Sequence, residues 1–408
     1  MASTSACAAA APPPGMLRLR LGLTFAGPAA LLGAALFIAV LGGGFVVQLA
    51  TQVLVLWCFG LSYQLLFGRT GMLSFGHAVN FGLAAFATAH AVRWLGSGWP
   101  VYELLPLLGA AMGLACGVVI GYPVTRRSGV AFAMVTLGLG ELVAACFLMF
   151  PGFFGGEAGV TLQRTRVASL FGIDYGRGSA QLLLTSAWAL AVLAAVRWLA
   201  RTPFGLATLA VRENLQRAEF AGFCSANVRW ASYLVASTLA GVGGALSALA
   251  YEIVTVDAVS LHTSANVLLM TVIGGVGSTL GPLVGAIFLS VMQSVVSEWT
   301  RAWLFYYGFV FVTLVWLAPE GVAGLWAAAW QHRTRPGAMA LTTARVMGFA
   351  IMLVAFIETA YQLALGEPTR LPGWQALGPV SLQAVLWGSG LVVALCLMRV
   401  VHRVGGER

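Results

Sequence analysis

The amino-acid sequence predicts an all-α fold, a polytopic transmembrane helix bundle of about ten spans with one broken or re-entrant segment. The first observation is charge, because only 9% of the 408 residues are charged, whereas soluble domains carry about 25%. The second is that 60% of the residues are apolar, which leaves too little polar surface to cover a water-facing fold. The third is that apolar runs of about 20 residues, the length that crosses a bilayer, recur between short polar breaks.

The N-terminal part combines a polar tail with a first span. Residues 1–20 are predicted to be a disordered cytoplasmic tail, since the prolines at 12–14 cannot lie inside a helix. The apolar run 21–47 is longer than the roughly 7–15-residue core of a cleaved signal peptide, so it predicts a retained span. Further spans are predicted at 48–67, 78–95, 101–124, 130–152, 180–199, 230–250, 302–318, 346–365 and 380–399.

The segment 263–297 is apolar but interrupted in its middle. The interruption contains four glycines and a proline, Gly274, Gly275, Gly277, Gly281 and Pro282. A helix broken at membrane depth persists only where it is buried in protein or lines a wet cavity. The segment is therefore predicted to be a re-entrant or discontinuous helix. Its glycines are candidates for a translocation pathway, either as close-packing positions or because they free backbone carbonyls.

The positions of the arginines predict the orientation of the chain. The most polar internal stretch, 197–229, is predicted to be cytoplasmic because basic residues collect on that side. Counting spans from this stretch places both termini in the cytoplasm and the loop 153–179 outside, although that loop contains three arginines. The predicted organisation is a transmembrane domain at 21–330 and a C-terminal extension at 331–408 with two spans.

The charge balance also excludes some functions. The net charge is +9, and every basic residue is arginine. The arginines lie at the ends of apolar segments, which argues against a nucleic-acid-binding surface. A Walker A phosphate loop needs a lysine, so we do not expect this chain to hydrolyse ATP. The six cysteines form no CxxC pair and predict neither a disulfide framework nor a metal site, and no bound cofactor is expected.

Residues 201–228 predict a helix that lies outside the membrane. Thr202 is a suitable capping residue with Pro203 at the first helical position, and Gly222 is a suitable stop. Between them an amphipathic helix is predicted, with Glu213 and Arg217 spaced for an i,i+4 pair. Two interpretations stay open. The helix could lie along the membrane surface of its own protein, or it could dock into a partner subunit.

Six segments within about residues 45–330 share their order and sequence with one protein family. They are GRTGMLSFGHAVNFGLAAFATA (68–89), SGVAFAMVTLGLGEL (128–142), FGGEAGV (154–160), TPFGLATLAVRENLQRAEFAGF (202–223), GGVGSTLGPLVGA (274–286) and PEGVAGL (319–325). The series resembles the permease subunits of branched-chain amino acid ABC importers, the LivM/LivH-type family, and the LivM branch most closely. The RENxxxAEFxG stretch is the most specific of these matches, and the extension 331–408 lies outside the resemblance.

The resemblance implies partners and a membrane. It implies two ATP-binding-cassette subunits that use ATP and Mg²⁺, a second LivH-like permease subunit and an extracytoplasmic solute-binding protein. The location implied is the bacterial inner (cytoplasmic) membrane, in contact with lipid. The segment 201–228 would be the coupling loop that contacts the ATPase. The residues expected to form this contact are Pro203, Phe204, Gly205, Arg212, Glu213, Glu219 and Gly222.

Polar residues inside predicted spans are the other candidates for the translocation pathway. Such groups are costly in lipid, so they usually face protein or a cavity. Each of them could instead be a hydrogen-bonding group between helices. Ser74 and His77 could also meet as a nucleophile and a base, but no third acid or GxSxG motif accompanies them. The candidates are Ser74, His77, Asn80, Glu141 and Asn266.

The function predicted is ATP-driven import of branched-chain amino acids or a related small polar solute, such as another amino acid, an amide or urea. A stand-alone ion-coupled secondary transporter or channel is the alternative. It would be indicated by inverted repeats with paired intramembrane acids. An intramembrane enzyme is a remote alternative, because no nucleophile–base–acid set is evident.

Overall fold

The computed structural model describes residues 33–34, 37–38, 42–95, 101–300, 303–317 and 321–322. These residues are predominantly helical, as predicted. The helices are α1 (Gly44–Tyr63), α2 (His77–Leu95), α3 (Leu105–Val119), α4 (Gly121–Val124), α5 (Val130–Met149), α6 (Pro151–Phe154), α7 (Gly178–Arg201), α8 (Pro203–Glu213), α9 (Leu215–Phe220), α10 (Ser225–Tyr251), α11 (Leu261–Gly274), α12 (Gly281–Val291), α13 (Ser297–Trp299) and α14 (Trp303–Leu317). Two π-helical turns, Gln64–Arg69 and Met292–Val296, continue α1 and α12.

Five helices of the described part are long and apolar enough to cross a membrane. They are Gly44–Arg69, Tyr102–Val119, Val130–Met149, Gly178–Arg201 and Ser225–Tyr251. Each coincides with a predicted span. The chain is therefore a multi-pass membrane protein.

The predicted total of about ten spans is not confirmed. The prediction at 78–95 coincides with α2, which is less apolar than those five, and the prediction at 302–318 coincides with α14, which has only 15 residues. The first predicted span, 21–47, is described only in part. The spans predicted at 346–365 and 380–399 lie outside the described residues.

Helix α10 forms the centre of the bundle and packs against α1, α2 and α3. Of its most apolar stretch, 83% is buried inside the protein. The crossing with α3 is close, because a Cβ atom on Gly113 would lie 2.2 Å from the backbone oxygen of Ser237. Small residues at helix crossings bring backbones together, which is how helices gain packing contact in lipid.

The predicted broken segment is confirmed as a helical hairpin. Helices α11 and α12 run antiparallel and touch backbone to backbone, since a Cβ atom on Gly285 would lie 1.8 Å from the oxygen of Met270. Pro282 lies in the first turn of α12, where its missing N–H costs nothing. The hairpin packs against α1, where Gly60 lies beside the side chains of Met270 and Pro282.

The loops at one end of the bundle are held together by polar contacts. Strands β1 (Val160–Thr161) and β2 (Ile253–Val254) pair antiparallel, and Arg164 forms an ion pair of 3.4 Å with Glu252. Glu103 accepts hydrogen bonds from the backbone N–H of Leu170 at 2.9 Å and from the hydroxyl of Tyr175 at 3.2 Å. Burial, together with the negative charge of Glu103, raises the pKa of Tyr175 to about 12.

Candidate docking helices and translocation pathway

Helices α8 and α9 follow α7 at the end of the bundle opposite these loops. The 24 residues of α7 span about 36 Å, so they separate the loop before Gly178 from the helices after Arg201. The hydroxyl of Thr202 accepts a hydrogen bond from the N–H of Gly205 at 3.4 Å, with Pro203 in the first turn. The predicted start of this element is confirmed.

The prediction of one continuous amphipathic helix is wrong, because the chain breaks at Asn214. This residue has extended backbone angles (φ −158°, ψ 111°), and its side chain accepts a hydrogen bond from the N–H of Arg217 at 3.0 Å. Asn214 therefore ends α8 and caps α9. The break places Glu213 and Arg217 on different helices, so their spacing no longer makes them neighbours on one helix face.

Two arginine side chains connect α8 to the π-helical turn after α1, one donated by the turn and one donated by α8. The guanidinium of Arg69 donates to the carbonyl oxygen of Gly205 at 3.4 Å, and the guanidinium of Arg212 donates to the carbonyl oxygen of Gly68. The sequence predicted Arg212 as an ATPase contact, and the structure gives it a role inside this chain. Helix α8 is therefore attached firmly to the π-helical turn at the end of α1.

The other residues predicted for coupling differ in their surroundings. Glu219 accepts a hydrogen bond from the hydroxyl of Ser225 and so connects α9 to the start of α10. Gly222 has φ +90°, the left-handed conformation predicted for a helix stop. Pro203 and Glu213 are exposed, Phe204 is half-buried and Gly205 is buried against the end of α7.

Large apolar side chains are exposed on α8, on α9 and in the turn after α9. Phe220 is 92% exposed and Leu206 is 67% exposed. Leu209, Leu215 and Phe223 are also exposed. Large exposed apolar groups that lie close together in the sequence, among polar residues, are candidates for an interaction surface. We call these five residues the apolar docking patch.

The tip of the helical hairpin touches the same π-helical turn. The side-chain amide of Gln64 donates a hydrogen bond to the carbonyl oxygen of Ser278. A Cβ atom on Gly68 would lie 2.9 Å from the carbonyl oxygen of Val276. Of the predicted glycines, Gly274 and Gly281 pack backbone to backbone. Gly277 faces open space, and Gly275 has a positive φ of +113°.

A cavity of about 400 Å³ lies beside the docking helices. It extends from the loop 70–75 and the start of α5 to Leu215 of α9 and Arg229 of α10. Arg229 is buried, donates to the backbone oxygen of Arg127 and lies 5.9 Å from the ring centre of Phe132. These contacts attach the start of α10 to the turn before α5 and to the first residues of α5.

The predicted pathway residues Ser74, His77 and Asn80 are fully buried between helices. Nε2 of His77 lies 2.9 Å from the hydroxyl of Ser62, and the side chain of Asn80 donates to the hydroxyl of Tyr233 at 3.2 Å. None of the three lines the cavity beside the docking helices or a second cavity, near Asn266, at the other end of the bundle. Because His77 pairs with Ser62, the sequence-based pairing of Ser74 with His77 as nucleophile and base is not observed.

Asn266, in contrast, lines a cavity of about 300 Å³ at the end of the bundle remote from α8. Across this cavity the amide of Gln52 donates to Gln293 at 3.1 Å. Nearby, His262 lies 3.7 Å from Asp257 and 3.3 Å from the amide nitrogen of Asn266. The apolar part of the lining includes Phe59, Phe81, Val55, Leu56, Val267 and Leu289.

Sequence reasoning did not single out three polar residues of this cavity, Gln52, Asp257 and His262. A signal for Gln52 was present, since Gln48 and Gln52 are spaced i,i+4 in an apolar run and polar groups at depth mark pathways. Among the described residues, no group of three or more His, Cys, Asp or Glu side chains could hold a metal ion.

Glu141 is exposed on the surface of the bundle, in the middle of α5. Within the described part of the chain, no hydrogen bond or ion pair joins its carboxylate to another group. Two roles were predicted for Glu141, lining a pathway or bonding between helices. Each requires a second helix beside its carboxylate, and the described residues do not provide one.

Comparison with known proteins gives an identity to this architecture. A family model described as "Branched-chain amino acid transport system / permease component" matches residues 45–319. The chain is 26% identical over 297 residues to the high-affinity branched-chain amino acid transport system permease protein LivM of Escherichia coli, a match that covers 68% of this chain and 69% of the relative. It is 25% identical over 299 residues to the protein of the same name from Salmonella typhimurium, with the same coverage.

No solved structure matches the chain. The family match covers well over half of the 408 residues and begins and ends close to the region of the sequence resemblance. The relatives are transport permeases, so the expectation of a permease rather than an enzyme is confirmed. The chain belongs to the permease-component family of branched-chain amino acid transport systems.

Proposed function

We propose that this protein is the membrane-spanning permease subunit of an ATP-driven importer in the bacterial inner membrane. It would translocate branched-chain amino acids or a related small polar solute delivered by an extracytoplasmic solute-binding protein. Two ATP-binding-cassette subunits would drive it together with a second, LivH-like permease. Both termini would lie in the cytoplasm, and the described spans would belong to a bundle of about ten. Family membership supports the transport role.

The apolar docking patch carries the part of the proposal that concerns the driving force. A phenylalanine that is 92% exposed at Phe220 needs a partner surface in the assembled protein. The patch lies on two helices, and the turn after them, that are too short and too polar to cross the bilayer. The chain contains no lysine, so a phosphate loop for ATP must be supplied by another subunit.

The contacts behind the patch support a route for mechanical coupling. Helix α8 is bonded to the turn Gln64–Arg69 through Arg69 and Arg212. The same turn contacts the hairpin tip at Ser278 and Val276. A displacement of α8 by an ATPase would therefore reach the hairpin through a continuous series of packed groups.

The cavity at the opposite end supports the class of substrate. A volume of about 300 Å³ is at the lower end of the range for small-molecule pockets. Its amides, together with Asp257 and His262, offer both donors and acceptors to a zwitterion. The apolar groups beside them suit an aliphatic side chain. Asn266 lies in this lining, as its prediction as a pathway residue requires.

Replacement of Phe220 tests the proposal. The tagged permease would be purified from its own host in mild detergent, and the co-purifying ATPase would be identified by mass spectrometry and measured by phosphate release. Phe220→Ala is expected to weaken ATPase association about 30-fold, since loss of an interface hot spot costs about 2 kcal/mol or more. Solute uptake should fall in parallel.

Phe171→Ala is the matched control, because Phe171 is 72% exposed in the loop region before α7, at the other end of the bundle. This variant should retain the ATPase. If no ATPase co-purifies with the unaltered protein and uptake follows an ion gradient, the chain is a secondary transporter. If ATPase association is equal in both variants and in the unaltered protein, the patch lies on the membrane surface and is not the docking site.

A further inference from the structure

A buried cation lines the cavity of about 400 Å³ beside the docking helices. Arg229 is only 5% exposed, and it is the one charged side chain among the residues that line this cavity. A guanidinium group keeps its positive charge in proteins. Removing such a charge from water is costly unless a group of opposite charge and several hydrogen bonds compensate it.

The described part of the chain compensates this charge only in part. The guanidinium of Arg229 donates to the backbone oxygen of Arg127 and lies 5.9 Å from the ring centre of Phe132, but it has five N–H donors in all. Within the described ranges no ion pair joins it to a carboxylate. Glu219, the acid nearest to it in the sequence, bonds instead to Ser225. The site therefore lacks a negative charge.

The start of α5 adds a second source of positive potential to the same cavity. Gly129 and Val130 line the cavity, and no side chain caps the helix that begins at Val130. The first N–H groups of a helix have no partner within it, and together with the helix dipole they attract anions. The guanidinium and the helix start therefore favour the same kind of ligand, an anion.

Much of the remaining lining is apolar, including Met72, Phe75 and Met134. Val130 and Met134 are 74% and 63% exposed, so the cavity opens at the outer surface of the bundle. No acidic residue lines it, so the ammonium group of an amino acid would find no counter-charge there. The cavity at the other end of the bundle differs, because it contains Asp257. The lining beside Arg229 thus suits an anion with an apolar chain and not a zwitterion.

The cavity lies at the depth of lipid headgroups. The 20 residues of α5 span about 30 Å, which is the thickness of the hydrocarbon core, so Val130 lies close to the boundary between hydrocarbon and headgroups. Arg229 is the fifth residue of α10, about 6 Å from the start of that helix, and so lies near the same boundary. Basic pockets between transmembrane helices bind anionic headgroups at this depth.

A carboxylate from elsewhere in this chain is the competing source of negative charge. Outside the described ranges the sequence contains ten arginines and four glutamates, Glu320, Glu358, Glu367 and Glu407. These segments therefore have an excess of positive charge themselves. A membrane leaflet, in contrast, presents many phosphates at the depth of the cavity, which favours a lipid as the source of the anion.

We propose that the cavity at Arg229 binds the phosphate group of an anionic phospholipid from the leaflet next to the docking helices. The phosphate would accept hydrogen bonds from the guanidinium of Arg229 and from the free N–H groups at the start of α5. Its acyl chains would leave past Val130 and Met134 at the outer surface of the bundle. The site is separate from the cavity proposed for the transported solute, and it requires neither the solute nor the ATPase.

Lipid binding to the intact protein tests this site. The permease would be purified from its own host with the partners that it retains, and titrated in detergent with phosphatidylglycerol or with phosphatidylcholine of the same acyl chains. Native mass spectrometry would measure the bound lipid. Phosphatidylglycerol should bind more tightly, because choline brings a second positive charge to a site that already contains one.

Variants of Arg229 test the contact with the phosphate. Arg229→Gln should weaken phosphatidylglycerol binding at least about tenfold, the effect of losing one charge-assisted hydrogen bond. Arg229→Lys keeps the charge without the planar fork and should bind more tightly than Arg229→Gln. Arg201→Gln is the matched control, because Arg201 is exposed at the same end of the bundle, and this variant should bind like the unaltered protein. Unfolding midpoints without added lipid would show that each variant is folded.

A photoactivatable lipid locates the site in the unaltered protein, so this readout does not depend on the folding of a variant. Phosphatidylglycerol with a diazirine on the acyl chain, close to the glycerol, should label residues within 70–75 and 128–134. Peptide mapping by mass spectrometry would identify the labelled positions. Labelling that avoids both segments would overturn the proposal.

Other results would also overturn it. Equal binding of the two lipids, or equal binding by Arg229→Gln and Arg201→Gln, would show adsorption to the protein surface only. Displacement of the lipid by an equal concentration of inorganic phosphate would show a site for a soluble anion, and displacement by leucine would show a site for the transported solute. If the intact protein binds no phosphatidylglycerol, a carboxylate of this chain or of a partner fills the cavity. None of these results bears on the proposed function, which is tested through Phe220.

Discussion

A substitution inside the helical hairpin tests whether its two helices are packed as tightly as the structure shows. In Gly285→Ala, the new Cβ atom would lie 1.8 Å from the backbone oxygen of Met270, and real Cβ atoms essentially never approach closer than 3.0 Å. The obstacle is backbone, which cannot rotate away as a side chain can. The two helices must therefore separate by about 1 Å, and a gap of about 0.5–1 Å forfeits a quarter to a half of each van der Waals contact.

The expected cost is at the upper end of the roughly 1–3 kcal/mol that overpacking causes. It should be seen as a lower midpoint of thermal unfolding in detergent, followed by intrinsic tryptophan fluorescence. Transport should fall as well, because separation of α11 and α12 shifts the hairpin tip away from Gln64. Gly277→Ala is the control, since the added methyl group at Gly277 meets no atom within 4 Å. Equal midpoints for the two variants would refute the packing argument.

Two further substitutions test polar contacts at opposite ends of the bundle. Arg212→Ala removes the bond to the oxygen of Gly68, so ATP hydrolysis should lose its stimulation by transported solute. The unfolding free energy should fall by only about 1 kcal/mol, because the site is exposed. Unchanged stimulation of ATP hydrolysis in a phosphate-release assay would contradict this prediction. Tyr175 has a folded-state pKa raised to about 12 from 10, so its contribution to stability is present below pH 10 and is lost as pH rises towards 12. Melting curves in that window should show a smaller pH dependence in Tyr175→Phe, and an identical dependence would exclude Tyr175 as its source.

Much of the fold was predictable because its signals are local. Length and apolar content identify a span wherever about 20 apolar residues recur, so α1, α3, α5, α7 and α10 were all found within a few residues of their ends. The break at 275–280 followed from glycine and proline, which disrupt a helix in any context. Thr202 and Gly222 were predictable for the same reason, since caps depend on neighbouring residues only.

One prediction failed because a local cap was overlooked, and two further contacts depend on parts of the chain that are distant in sequence. Asn214 was expected inside a helix, but its side chain caps a second helix and divides the element. The pairing of Ser74 with His77 was disfavoured for lack of a third acid, and Ser62, which precedes His77 by 15 residues, supplies the partner of His77. The predicted ATPase contact of Arg212 stays a prediction, and the structure adds a bond from its guanidinium to Gly68 of the same chain. None of these contacts has a periodic signal along the sequence.

The sequence by itself determined that the chain crosses a membrane several times and that residues 201–228 lie outside the spans. These conclusions follow from composition and from short motifs, which act over one or two helical turns. Only the tertiary structure decided where the polar groups of the spans lie. Ser74, His77 and Asn80 are enclosed within it, Asn266 faces a cavity, and Glu141 faces outwards. Apolar spans look alike in sequence on every side, and only their packing decides which side is left exposed.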